Sequence, residues 1–206
     1  MTNNNKITVV GAGYVGMSIA TLLAQKNNVI IHDISEDRVN KINNQESTVK
    51  DSDISDFLKK KLSLKATTDN LKALKSADYI IVATPTNYIK EVNKFDTSSV
   101  DSVVDEALKI NKDALVVIKS TLPIGHTKLL QNKFGTDRVI FSPEFLREGS
   151  ALMDNLFPSR IIIGSKCKKA YDFAELLKSC SLKEDINVIH MQSSEAEAVK
   201  LFANTY

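Results

Sequence analysis

Short apolar runs alternate with amphipathic stretches along the whole chain. KITVV (6–10), NVIIHD (28–33), SLKAT (63–67), DYIIVAT (78–84), ALVVIKS (114–120), RVIFS (138–142), RIIIGS (160–165) and INVIHM (186–191) are rich in β-branched residues and bounded by polar or turn residues, a pattern that predicts strands. Between them, apolar residues recur at helical spacing over Tyr14–Lys26, Glu36–Asn43, Ser99–Asn111, Thr127–Phe134 and Lys169–Ser179. Near-continuous apolar strands separated by helices predict a parallel sheet covered on both faces. Right-handed crossovers then make a doubly wound, mostly parallel α/β sheet of Rossmann type the economical topology. The polar stretch 43–61 reads as a helical excursion between the second and third strands. Residues 84–97 read as a loop; it is too long for a bare connection and lies at a strand end, where function concentrates.

The last pattern lies in SSEAEAVKLFANTY (193–206). Ser194 and Glu197 have the S-x-x-E spacing of a capping box. Val199, Phe202, Ala203 and Tyr206 repeat at i, i+3, i+4 and i+7, the period of one buried helical stripe. With no glycine or proline to stop it, this segment predicts the start of a longer helix. Lys200 and Asn204 lie four apart at the edge of the stripe. On periodicity alone, Lys200 reads as a surface partner of Glu197.

Composition narrows the classes. Of the 206 residues 43% are hydrophobic and 25% charged, enough to build a sizeable core and too apolar for disorder. A formal charge of +2 supplies no strong field for nucleic acid or anionic lipid, and no apolar run approaches the length of a membrane span. The start, MTNNNK, has no signal-peptide pattern, so the expectation is a cytoplasmic chain. Cys167 and Cys180 stand thirteen apart with no C-x-x-C and no His cluster, which reads as reduced packing thiols and no metal site.

ITVVGAGYVG places Gly11, Gly13 and Gly16 directly after a strand and at the opening of a helix. In that context G-x-G-x-x-G is a dinucleotide fingerprint. Gly11 makes the tight turn, Gly13 allows close approach of a pyrophosphate, and Gly16 allows helix–strand packing, with Tyr14 and Val15 in the first helical turn facing the phosphates. The second strand ends at Asp33, seventeen residues after Gly16. A carboxylate there accepts from the adenosine ribose and repels a 2′-phosphate, which favours NAD over NADP. Arg38 either covers the adenosine or is a solvated helix residue. The fourth strand ends ATPT and the fifth KSTLP, so Thr84, Pro85 and Thr121 would sit at the switch point near the nicotinamide, unless the threonines merely cap turns. After the sixth strand comes SPEFLREGS, where Glu144 and Glu148 would share one face if the segment is helical, with Arg147 between them.

Taken in order, GAGYVG, ATPT, FDTSSV, STLPIGHT, SPEFLREGSALMD, PSRIIIG and EAEAVKLFANTY resemble the UDP-glucose/GDP-mannose dehydrogenase family over essentially the whole chain. The resemblance implies two successive hydride transfers from C6 of a nucleotide sugar to NAD, without metal. UDP-glucose is the implied substrate and GDP-mannose the alternative. It places Thr121 and Glu148 by the reacting carbon and the cofactor, and Glu144, Phe145, Leu146 and Arg147 on the sugar-nucleotide side. Lys200 and Asn204 would hydrogen-bond the C6 oxygen. Residues 1–192 would be the NAD-binding domain and 193–206 the start of a central helix through which the full-length protein forms a homodimer. The substrate domain, with the family's nucleophilic cysteine, would lie outside this chain. Two other readings give no use to SPEFLREGS: a non-catalytic NAD-sensing module and a β-hydroxyacid-type dehydrogenase.

Overall fold

The computed structural model describes residues 4–91 and 94–203. Among them the strands are β1 (Lys6–Val10), β2 (Asn28–His32), β3 (Leu64–Thr67), β4 (Tyr79–Val82), β5 (Asn87–Ile89), β6 (Lys94–Asp96), β7 (Leu115–Ile118), β8 (Val139–Phe141), β9 (Arg160–Ile163) and β10 (Asn187–His190). The helices are α1 (Tyr14–Leu23), α2 (Glu36–Asn43), α3 (Ser52–Leu58), α4 (Asn70–Leu74), α5 (Ser98–Ile110), α6 (His126–Phe134), α7 (Ala151–Leu156), α8 (Lys168–Cys180) and α9 (Ser193–Ala203).

Six strands form one parallel sheet in the order β3-β2-β1-β4-β7-β8. β9 and β10 form a parallel pair beyond β8, joined to it where the Gly164 N–H donates to the Phe141 carbonyl (2.7 Å) and the Ser142 hydroxyl to the Ile162 carbonyl (3.0 Å). Alternation along each strand sorts the core into two layers. Ile7, Val9, Ile31, Ile81, Val117 and Ile140 pack on one face with Met17, Leu22, Leu156 and Phe173 from α1, α7 and α8. Val10, Ile80, Val82, Val116, Ile118 and Phe141 pack on the other with Leu74, Val104 and Leu130 from α4, α5 and α6. The sheet is therefore covered on both sides, as a doubly wound topology demands.

Four short elements and one segment depart from the sequence reading. β5 and β6 make an antiparallel hairpin inside the expected loop, held by an edge-to-face pair of Tyr88 and Phe95 at 5.2 Å; its strands are three residues long and too exposed to show alternation. α4 and α7, of five and six residues, are too short to show a helical period. Residues 142–147 carry no helix, so Glu144 and Glu148 do not share a helical face.

α9 turns a different face inward from the one its apolar spacing predicts. The buried residues are Ala196, Glu197 and Lys200, whereas Phe202 is 66% exposed; Tyr206 lies outside the described residues. The capping partner is Glu195, which accepts from the Gln192 N–H at 2.7 Å, two residues before the expected box. Glu197 is fully buried and accepts from the N–H groups of Gly125 (2.5 Å) and Thr127 (2.8 Å) and from the Thr127 hydroxyl (2.5 Å). Its carboxylate thus caps α6, satisfying orphan donors at the positive end of that helix. Glu197→Ala should destabilise the chain by about 3 kcal/mol, because the buried Thr127 N–H and the partly buried Gly125 N–H lose a charged acceptor; urea unfolding of both proteins measures it, and a loss well under 1 kcal/mol would contradict the capping role.

Candidate functional site

At the carboxyl edge of the sheet lies a cleft of about 740 Å³, floored by the β1–α1 turn. Each glycine of that turn answers to a different constraint. Gly11 has φ +103°, and a Cβ there would stand 2.6 Å from the Ala83 carbonyl oxygen. A Cβ on Gly16 would stand 1.8 Å from the Gly11 carbonyl oxygen. A Cβ on Gly13 would meet nothing within 4 Å, so the protein itself leaves that space free. α1 begins at Gly13 without a side-chain cap and with no acidic residue in its first turn, which leaves its N–H groups turned toward the cleft for an anion. The open space, the uncapped helix end and the cleft volume all fit a dinucleotide pyrophosphate.

Asp33 follows β2 and is 5% exposed. One carboxylate oxygen accepts from the Ala12 N–H (2.8 Å) and from Arg38 (3.3 Å), and the other from the Ser35 N–H (3.0 Å). The carboxylate thereby orients the glycine turn and keeps acceptor capacity for a ribose. Arg38 is half exposed and lines the cleft through this ion pair. Thr48 donates to the Ala12 carbonyl at 2.6 Å, so the 43–61 excursion braces the same turn.

The opposite end of the cleft is lined by Thr84, Pro85, Thr121, Glu144 and Glu148. The Ser120 hydroxyl donates to the Thr84 carbonyl (2.6 Å), tying the ends of β4 and β7 together. Glu144 is 8% exposed, and its Oε1 accepts from Lys200 Nζ at 2.8 Å while its own carbonyl accepts from the same ammonium at 2.6 Å. Lys200 therefore pairs with Glu144, 56 residues away, and not with Glu197, which α6 has already taken. The second oxygen, Oε2, is buried without a hydrogen-bond partner.

Lys119 is the residue that spacing alone did not reveal. It is buried beside Glu144 and donates to the Ser142 carbonyl (3.1 Å) and hydroxyl (3.4 Å). Burial pushes its ammonium down to about 8, with the Glu144 charge opposing the fall and Lys200 adding to it. Burial likewise pushes the Glu144 carboxyl up, against the pull of Lys200 and Lys119. The available signal was a lysine closing the all-apolar strand in LVVIKS.

Glu144 and Lys119 also wall a second, smaller cavity of about 50 Å³, which Phe145 and Leu146 line. Arg147 lines neither space; its guanidinium lies on Asp154 at 2.7 Å. Val15 and Tyr14 line the main cleft, and Gly16 is buried behind it. Asn204 lies outside the described residues. Cys180 is buried, which pushes its thiol up, and Cys167 precedes α8, so neither faces the cleft.

A sheet of this order, with a glycine turn and a ribose-height carboxylate, is a Rossmann dinucleotide-binding domain. A family model for the NAD-binding domain of the UDP-glucose/GDP-mannose dehydrogenase family matches residues 5–179. The chain belongs to that family and carries its NAD-binding domain. It is 47% identical to the UDP-glucose 6-dehydrogenase of Streptococcus pneumoniae, over 98% of this chain and 53% of that protein. It is 45% identical to the enzyme of the same name from Campylobacter jejuni, over 98% and 52%. Among solved structures, a UDP-glucose dehydrogenase from Pyrobaculum islandicum superposes with a TM-score of 0.86 at 26% identity, covering 98% of this chain and 50% of that one. A GDP-mannose dehydrogenase from Pseudomonas aeruginosa gives 0.85 at 27%, covering 97% and 49%. The chain thus spans about half the length of the relatives it matches.

Two measurements probe this site. Gly13→Ala should leave thermal stability within a few degrees of wild type yet weaken NAD⁺ binding at least about tenfold, whereas Gly16→Ala should lose stability outright. For Lys119, the unfolded ammonium keeps its proton to higher pH than the folded one, so stability rises with pH between about 8 and the ordinary lysine value of 10.5. Relative to Lys119→Met, wild type should gain on the order of 2–3 kcal/mol across that window in urea titrations; a flat difference would mean that Lys119 titrates normally.

Proposed function

We propose that this chain is the NAD-binding half of a UDP-glucose 6-dehydrogenase, which oxidises the C6 alcohol of UDP-glucose to a carboxylate in two hydride transfers. The observation that carries the reading is Glu144, held by the buried Lys200 and lining one end of a cleft whose middle is the glycine turn and whose other end is Asp33. NAD⁺ held there supplies the hydride acceptor. Gly11, Gly13, Tyr14, Val15 and Gly16 cradle the pyrophosphate, Asp33 and Arg38 hold the adenosine ribose, and Thr84, Pro85, Thr121 and Glu148 flank the nicotinamide.

Glu144, Phe145, Leu146 and Arg147 face the sugar nucleotide, Arg147 through its backbone carbonyl, since its side chain and its N–H are both engaged with Asp154. Lys200, already oriented by two acceptors on Glu144, holds its ammonium where a C6 oxygen would develop negative charge, with Asn204, four residues on in the sequence, as the second donor. A fixed cation at that point stabilises the alkoxide as an oxyanion hole does, and hydride leaves more readily from such a carbon. The unpartnered Glu144 Oε2 would accept from an ordered water or a substrate hydroxyl. A nucleophilic cysteine, which neither Cys167 nor Cys180 resembles, would come from the part of the enzyme outside these 206 residues.

Residues 1–192 act as the cofactor domain and 193–206 as the start of a connecting helix through which two full-length copies pair. The enzyme would work in the cytoplasm; among the described residues no helix is long and apolar enough to cross a membrane. The 47% identity to a UDP-glucose enzyme favours that substrate over GDP-mannose.

Calorimetric titration of the chain with NAD⁺, NADP⁺ and UDP-glucose tests the cofactor half. NAD⁺ should bind, and Asp33→Ala should weaken it roughly tenfold while NADP⁺ loses less, because a charge-assisted hydrogen bond and a repulsion disappear together. Equal binding of the two dinucleotides by wild type would overturn the role of Asp33. Turnover of UDP-glucose against GDP-mannose by the full-length enzyme tests the substrate.

A further inference from the structure

The NAD reading leaves one end of the cleft without an assigned partner. Past Asp33 the wall is Ile34, 91% exposed on one side, with Val103 and Glu106 of α5 and Asn70 of α4 on the other. An apolar residue on each side of a slot suits a flat ring. The polar groups around that slot are unbalanced. The Glu106 carboxylate accepts a hydrogen bond from the Asn70 amide, which uses one of its several acceptor positions. His32, 6% exposed, also lines this wall; its Nε2 lies 3.3 Å from the Thr68 carbonyl, and its Nδ1 is buried without a partner. The nearby Arg38 donor is engaged with Asp33. The slot therefore holds a carboxylate with acceptor capacity to spare, which suits a ligand that brings donors.

Among purine bases, adenine brings a donor at position 6, an amino group with two N–H bonds. Hypoxanthine and guanine carry a carbonyl oxygen at that position, which would face a carboxylate. We infer that Glu106, oriented by Asn70 and backed by His32, reads the 6-amino group of the cofactor's base and selects adenine dinucleotides over 6-oxo analogues. The inference rests on the NAD reading of the cleft and adds a base-specificity determinant that lies outside the glycine fingerprint and the ribose carboxylate.

The test is calorimetric titration of the 206-residue chain with NAD⁺ and with nicotinamide hypoxanthine dinucleotide, which replaces the 6-amino group by a carbonyl and carries a proton on N1. Wild type should prefer NAD⁺ by roughly tenfold or more, since an acceptor left facing an acceptor forfeits a charged hydrogen bond. In Glu106→Gln the side-chain amide can donate to a 6-oxo group. NAD⁺ should weaken, the hypoxanthine analogue should tighten, and the ratio should fall to about one. A wild-type ratio near one overturns the inference without needing any variant. A folded Glu106→Gln whose ratio is unchanged overturns it as well. Binding of neither dinucleotide by wild type would instead remove the cofactor reading of the cleft, and the base site with it.

Discussion

The site depends on one backbone contact. The chain leaves β1, turns at Gly11 and comes back so close that the Gly11 carbonyl occupies the place where a side chain on Gly16 would begin. That contact sets the angle at which α1 departs from the sheet and brings its first N–H groups to the carboxyl edge. Asp33 secures the turn from the neighbouring strand through the Ala12 N–H, and Thr48 secures it from the excursion through the Ala12 carbonyl. A carboxylate that would receive the ribose is thus also a brace of the phosphate turn, so cofactor recognition and local backbone order share one side chain.

The second organising theme is buried charge. Glu144, Lys200, Lys119 and Glu197 are all nearly excluded from water, which a core tolerates only when each charge is compensated. Glu197 is compensated by the N-terminus of a helix, Lys200 by a carboxylate and a carbonyl, and Lys119 by a carbonyl and a hydroxyl. Only Glu144 keeps an unused oxygen, on a residue that lines both the cleft and the smaller cavity behind it. Glu197 has a structural use as the cap of α6; the charges on Glu144, Lys119 and Lys200, which cap no helix, make sense as chemistry held in reserve for a ligand.

The sheet was legible because both of its faces are buried, which makes every strand an apolar run. The glycine turn was legible because its three positions answer to backbone geometry. What the sequence hid were interactions between residues far apart in the chain. Glu197 at the spacing of a capping box is indistinguishable from Glu197 capping a helix that starts seventy residues earlier. Lys119 looks like the solvated end of a strand until Ser142 and Glu144 are known to enclose it. Glu144 and Glu148 have helical spacing in a segment that Pro143 and tertiary contacts hold irregular. The β5–β6 hairpin is too short and too exposed to leave a period.

Asp51 carries a consequence of its own. One of its oxygens caps α3 through the Ile54 N–H; the other accepts from the Leu152 N–H at the start of α7, 101 residues later. During synthesis the excursion beside the glycine turn therefore waits for more than half the domain to emerge. The Glu144 carboxylate waits again, for a lysine 56 residues downstream, a delay of roughly 3–11 s at 5–20 residues per second. The nascent chain can build its sheet early, but the polar walls of the cleft are completed late. Until then the half-made pocket leaves its carboxylates hydrated while α9 is still on the ribosome.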